Sequence, residues 1–219
     1  MSRQRALIVD FGGVLTTSIW PAFASFCERE SLEAQTVREL FRGDAGALAL
    51  LRGLETGELA EAEFERRFGA ALGVASHEGL ITRMFVDLRP DEQMVGAVRA
   101  ARSAGIPTGL ISNSWGLGIY ERAPVDLFDA TVISGDVGLH KPQPEIYLLA
   151  CARLGIEPAD AVFVDDLREN CAGAEAMGMT AVLHRDAKET IPKLEELLGV
   201  ELGAAATPSR SSRTGASGP

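Results

Sequence analysis

Four short segments carry side chains that could do chemistry together. The first is Asp10-Phe11-Gly12-Gly13-Val14-Leu15, and the second is Leu110-Ile111-Ser112-Asn113-Ser114-Trp115. The third runs from Lys141-Pro142 to Tyr147, and the fourth is Phe163-Val164-Asp165-Asp166, with Asn170 one helical turn beyond. Together they supply what phosphoryl transfer needs. A carboxylate at Asp10 can attack phosphorus in line and form an acyl-phosphate. Backbone N–H groups of Gly12 and Gly13, the Ser112 hydroxyl, the Asn113 amide and the Lys141 ammonium can hold the equatorial oxygens. Carboxylates from two strands can bind a hard divalent cation such as Mg²⁺. Without one, each unit-charge repulsion between nucleophile and substrate costs about 4 kcal/mol at ~4 Å and an effective dielectric of ~20. Taken singly, each segment has a bland explanation: a helix cap, a turn, a loop, a solvated acidic pair. Their joint order, each beside a strand or a helix start, points to chemistry.

The elements that must position these residues are legible. Ala6 to Val9 is a short apolar run, as expected of a strand buried on both faces of a parallel sheet. Similar runs occur at Pro107–Ile111, Ala130–Ile133, Ala161–Val164 and Thr180–Leu183. Polar residues follow each, at the strand ends where open α/β sheets bind ligands. Helical periodicity separates them over Asp91–Ala104, Pro144–Leu154, Asn170–Met177 and Glu189–Leu198. In the second of these, Ile146, Leu148, Leu149 and Cys151 read as the apolar face, and in the last Pro192 falls in the first turn. The alternation predicts a doubly wound, Rossmann-like α/β core over residues 1–17 and 89–202. Residues 18–88 show only helical spacing (Phe23, Phe26, Val37, Leu40, Phe41, Leu48, Leu51, Phe64, Phe68, Leu72, Leu80, Met84), which predicts an inserted bundle of about four helices. Residues 203–219 hold no large apolar side chain and read as a disordered tail.

The chain has 219 residues, 46% hydrophobic content and a net charge of −10. An acidic surface argues against nucleic acid and anionic membrane as partners. No segment is long enough to span a bilayer, and the N-terminal apolar run is too short for a signal peptide. The expected location is the cytoplasm. Cys27, Cys151 and Cys171 have no metal or redox spacing and read as reduced structural residues. His140 reads as a solvated loop histidine, while His77 and His184 have no evident partner. Trp20, Arg42 and Asp44 read as surface or bundle-core positions.

The order and residues of the four segments closely resemble the motifs of the haloacid dehalogenase superfamily, from Leu7 to about Leu198. Ser112-Asn113-Ser114-Trp115, the Lys-Pro-x-Pro-x-x-Tyr run, and Asp165-Asp166 with Asn170 are most similar to the branch containing the N-terminal phosphatase domain of soluble epoxide hydrolases and bacterial sugar-phosphate phosphatases. Gly57-Glu58-Leu59 with Phe64 resembles that branch's helical C1-type cap. The resemblance implies Asp10 as nucleophile, with Ser112, Asn113 and Lys141 on phosphate. It implies Mg²⁺ held by Asp10, Asp166 and the Gly12 carbonyl, with Asp165 and Asn170 behind them. The expected activity is hydrolysis of a small phosphorylated metabolite under a mobile cap. One departure matters. Most phosphatases of the superfamily carry a second Asp at the position of Gly12, serving as general acid and base; losing such a group slows a reaction by about 10²–10⁴-fold. Val14 also stands where many members have Thr. A metal-free dehalogenase-like hydrolase and a non-catalytic phospho-ligand-binding protein are the alternative readings.

Overall fold

The computed structural model describes residues 5–116, 120 and 125–203. The expected disordered tail falls outside the described residues, apart from Gly203, whose N–H donates to Glu195 Oε1 at 2.9 Å. Strands β1 (Ala6–Val9), β2 (Thr108–Ser112), β3 (Ala130–Ile133), β4 (Ala161–Asp165) and β5 (Thr180–Leu183) form one parallel sheet in the order β3-β2-β1-β4-β5. This is the expected α/β fold. β2 begins one residue later than the sequence suggested. Pro107 has no N–H for a ladder; only its carbonyl joins, accepting from Leu7 N–H at 2.9 Å.

Both faces of β1 are buried, which explains its unbroken apolar run. Leu7 and Val9 pack with Met94 and Val98 of α6 (Glu92–Ser103) and Leu194 of α10 (Ala187–Leu198). Ile8 points the other way, toward Ile146 and Tyr147 of α8 (Pro144–Leu154) and Ala174 of α9 (Arg168–Ala176). Two details differ from expectation. In α8 the buried stripe is Ile146, Tyr147, Ala150 and Cys151, and Leu148 is 45% exposed. At 100° per residue, position 148 turns away from that stripe. In α10 the Asp186 side chain accepts the Glu189 N–H at 2.9 Å and starts the helix at Ala187. Pro192 therefore lies inside the helix, past its first turn. It is exposed, so water can serve the carbonyl it leaves unpaired.

Between β1 and α6 the chain forms α1 (Ile19–Arg29), α2 (Thr36–Gly43), α3 (Ala45–Glu55), α4 (Glu61–Leu72) and the short α5 (Leu80–Met84). That is five helices rather than about four. They enclose a core of their own, including Phe23, Phe26, Phe64, Phe68, Leu80 and Met84. Leu48 lies outside it, 44% exposed, because α3 buries Ala47, Leu50 and Leu54 instead.

The two chain crossings into this insert are tied together. Thr17 N–H donates to Arg89 O at 2.8 Å, and Asp91 N–H to Leu15 O at 2.9 Å. A further contact joins the turn after α3 to the turn opening α7 (Ser134–Val137). Gly57 has φ +74°, and a Cβ there would sit 2.5 Å from the Gly135 carbonyl oxygen. Only glycine allows that approach. Gly73 has the same φ of +74° with no neighbour within 4 Å. Left-handed strain on adding a Cβ costs about 1–2 kcal/mol, or about 2–8 °C of melting temperature for a chain this size. Gly73→Ala should therefore lose that much, and Gly57→Ala distinctly more, when both are melted by calorimetry. Equal losses would mean that the Gly57–Gly135 approach does not hold the insert in place.

Candidate active site

The sheet order places the chemistry. β1 lies between β2 and β4, and Val9 pairs with Leu110 on one side and Val164 on the other. The chain turns outward from β1 through β2 to β3, then returns to the other flank as β4. Such a reversal leaves a crevice at the strand C-termini. Asp10, Ser112, Asp165 and Asp166 all fall at that edge.

Lys141 organises them. Its ammonium is buried and donates to Asp10 Oδ1 at 2.5 Å, Asp165 Oδ2 at 2.7 Å and Ile111 O at 3.1 Å. The Lys141 backbone is braced in turn. Asn113 Oδ1 accepts its N–H at 2.9 Å, and Asn113 Nδ2 donates to its carbonyl at 3.2 Å. The Asn113 amide, expected on a phosphate oxygen, is thus engaged at both ends with the lysine loop. His140, expected to be solvated, is buried, with Nδ1 2.8 Å from the same carbonyl.

Asp165 is fully buried and saturated. It accepts from Lys141, from Asn170 Nδ2 at 3.0 and 3.1 Å, and from Leu167 N–H at 2.9 Å. Asn170 is set by Tyr147, whose hydroxyl donates to its carbonyl at 2.8 Å. Asp166 projects toward the Gly-rich turn. A Cβ on Gly13, which has φ +80°, would meet Asp166 Oδ2 at 2.6 Å. The glycine therefore admits the carboxylate as well as the backbone turn. Gly12 differs: its φ is not in the left-handed region, and a Cβ there would touch only Ile19 Cγ2, at 3.7 Å.

Asp10, Asp165 and Asp166 each offer an oxygen within 4.8 Å of the others. Three carboxylates thus share one ammonium. Lys141 is held charged well above its ordinary value by Asp10 and Asp165, which outweigh its burial. Asp10 is nevertheless pushed up to about 7, first by burial and then by its acidic neighbours, against Lys141. Asp166 is pushed up to about 6 by burial and by Asp165. An all-oxygen donor set short of positive charge fits a hard divalent cation.

Three site features had not been anticipated. The Tyr120 hydroxyl donates to Ser112 Oγ at 2.8 Å, and its ring packs 5.1 Å from Phe11. Trp115 leaves the core and enters the insert, 5.3 Å from Phe85 and 5.5 Å from both Phe23 and Phe41. Glu55, the last residue of α3, lines the same cavity as Asp10, Ser112 and Lys141. Burial pushes its carboxyl up to about 7, against Lys141 and Arg52. The sequence held one signal for Glu55: a carboxylate in the last turn of a helix opposes the macrodipole. The cavity measures about 180 Å³, and its roof is apolar, built by Ile19, Trp20, Phe41, Leu51 and Phe85. Trp20 and Phe41 therefore face the site rather than only the bundle core. Arg42 is exposed, and Asp44 caps α3 through Ala47 N–H at 2.7 Å. Among the described residues no helix is long and apolar enough to cross a membrane.

Comparison with known proteins agrees with this architecture. The chain is 29% identical to mouse Acyl-CoA dehydrogenase family member 10 over 90% of its own length and 19% of that protein's. It is 27% identical to pig Bifunctional epoxide hydrolase 2 over 90% of its length and 39% of the other's. To the Glyceraldehyde 3-phosphate phosphatase of Methanopyrus kandleri it is 30% identical, covering 58% of this chain and 55% of that one. The chain thus spans between a fifth and about half of the length of these relatives. Its fold is similar to that of a HAD family enzyme from Bacteroides thetaiotaomicron in complex with magnesium and inorganic phosphate, with a TM-score of 0.62 and 23% identity over 83% of this chain and 94% of that one. The family model for haloacid dehalogenase-like hydrolases matches residues 4–178, from ahead of β1 to beyond α9, and the chain belongs to that family.

Proposed function

We propose that the protein is a Mg²⁺-dependent phosphatase that hydrolyses a small phosphate monoester through an aspartyl-phosphate on Asp10. One observation carries the reading: three carboxylates converge within 4.8 Å around one buried lysine at the switch point of the sheet. That cluster has too much negative charge to accept a phosphate alone, and it has the donor set for a divalent cation. Asp10, Asp166 and the Gly12 carbonyl would hold the ion, which supplies charge neutralisation for the phosphoryl group. A phosphatase among the relatives, and a structural neighbour with magnesium and phosphate bound, support the same reading.

The chain's own residues then do the following. Lys141 fixes Asp10 through Oδ1 and orients the carboxylate for in-line attack. Ser112 Oγ, fixed by Tyr120, and the N–H groups of the Gly12-Gly13 turn receive the equatorial oxygens. Asp165 and Asn170 hold Lys141 from behind. The apolar roof excludes water during attack and limits the substrate to a small organic group. A metal-free, dehalogenase-like reaction would leave three clustered carboxylates around one ammonium, which disfavours it.

Two measurements test this reading. Asp10→Asn should reduce hydrolysis of p-nitrophenyl phosphate by at least about 10³-fold, with the protein still folded because Lys141 keeps Asp165 and Ile111. Turnover near wild type in that variant would end the covalent mechanism.

Chelation of the purified enzyme should stop turnover and added Mg²⁺ should restore it. Asp166→Ala should raise the Mg²⁺ concentration for half activity by at least about tenfold. Full activity in excess EDTA would favour the metal-free alternative.

A further inference from the structure

The proposed reaction lacks one part. No side chain at position 12 can protonate a leaving alkoxide, because the residue is glycine. We propose that Glu55, presented by the helical insert, is the general acid and base of this site. The inference rests on the phosphatase reading above and names a group that the strand-end cluster does not contain.

Placement is the main argument. Glu55 is an acidic side chain that the insert contributes to the cavity lining. The other insert residues there are apolar, Ile19, Trp20, Phe41 and Leu51 among them. A carboxyl among such neighbours has no structural reason to face inward, since burying it unpaired is costly. The backbone around it is anchored to the core. Ser134 Oγ donates to the Glu55 carbonyl and accepts the Ser114 N–H at 2.7 Å. Two residues on, Gly57 lies against Gly135. These contacts fix the end of α3 over the loop that carries Ser112 and Asn113. They hold the backbone of Glu55 at the rim of the cavity that Asp10, Ser112 and Lys141 also line.

The protonation state agrees. The charged groups acting on Glu55 are Lys141 from the loop before α8, Arg52 from α3 and Glu169 from α9. Burial outweighs the two cations and keeps the carboxyl protonated up to about pH 7, as an acid must be. The end of α3 adds the negative pole of a helix dipole, which disfavours the carboxylate further.

The steps balance. An Asp10 oxygen bonds to phosphorus as the bond from phosphorus to the leaving oxygen breaks. The Glu55 proton passes to that oxygen and gives a neutral alcohol. The Glu55 carboxylate then takes a proton from water as the water oxygen bonds to phosphorus. The bond from Asp10 to phosphorus breaks, releasing inorganic phosphate, and both carboxyl groups return to their starting states.

Glu55→Gln separates the two roles. Gln is nearly isosteric with the protonated acid, and calorimetry should show a melting temperature near wild type. With an alkyl phosphate, the first step should slow by about 10²–10⁴-fold. With p-nitrophenyl phosphate, whose phenolate leaves without a proton, the first equivalent should appear in a burst. Slow turnover should follow, because the water now lacks its base. In the wild type, alkyl-phosphate turnover should fall tenfold per pH unit above about pH 7, as Glu55 loses its proton. Glu55→Gln should remove that limb. Equal slowing of both substrates in the first step, no burst, or an unchanged pH limb would each overturn the assignment of Glu55. A wild-type protein with no metal-dependent turnover of either substrate would overturn the phosphatase reading itself.

Discussion

The buried Lys141 ammonium is the interaction on which the site depends. It lies between Asp10 and Asp165 and also donates to the Ile111 carbonyl, so its three N–H groups are used. A buried charge is tolerable only when paired and hydrogen-bonded in this way. The demand spreads outward. Asn113 and His140 hold the Lys141 backbone, Asn170 and Leu167 N–H hold Asp165, and Tyr147 holds Asn170. Removing the lysine would strand two buried carboxylates, a change worth about 3–5 kcal/mol. The residues gathered at three strand ends are therefore one electrostatic unit, and a change in any member is felt by the rest.

That unit is built with a deficit of positive charge. Asp166 adds a third carboxylate, admitted by the missing Cβ of Gly13. Burial first, and the neighbouring carboxylates after it, push Asp10 and Asp166 up, and in the proposed reaction a divalent cation would offset that excess of negative charge. In the proposed reaction the same cation would make an anionic substrate acceptable in a protein of net charge −10. Fold and chemistry are linked at this point. The sheet order sets Asp10 beside Asp165, and the crowding of carboxylates follows from the register of Val9 with Val164.

What the sequence made legible follows from where information is local. The strands could be read because β1 and its neighbours are buried on both faces and so carry unbroken apolar runs. Asp10, Lys141, Asp165 and Asp166 could be read because each sits immediately beside such a run or a helix start. Asn113 could be placed near the site, but its partner could not be read, since its bonds to Lys141 join residues 28 apart. Leu148 misled because apolar character alone does not set the angle of a helix face. Pro192 misled because the true cap, Asp186, lies before the apolar repeat begins. Tyr120 escaped because nothing local distinguishes it, and Glu55 because its one local signal, a carboxylate in the last turn of a helix, does not say which cavity it lines. Their approach to Ser112 and to the Asp10 cavity exists only after the insert and the loops have folded onto the core.

The insert is thus more than a cover. Trp115 carries the loop of Ser112 and Asn113 into the insert's aromatic core, while Ser134 ties the end of α3 back to Ser114. The two connections run in opposite directions across one cavity. A displacement of the insert that withdraws Glu55 must also act on the Trp115 loop, one residue beyond the serine that follows Asn113. The insert and the loop of Ser112 and Asn113 are therefore mechanically coupled. Gly12 is consistent with that coupling: an acid carried by the core would be present whether or not the insert had closed. In the proposed reaction an acid carried by the insert would act only with the insert seated over the cavity, so activation of the leaving group would wait for enclosure of the substrate.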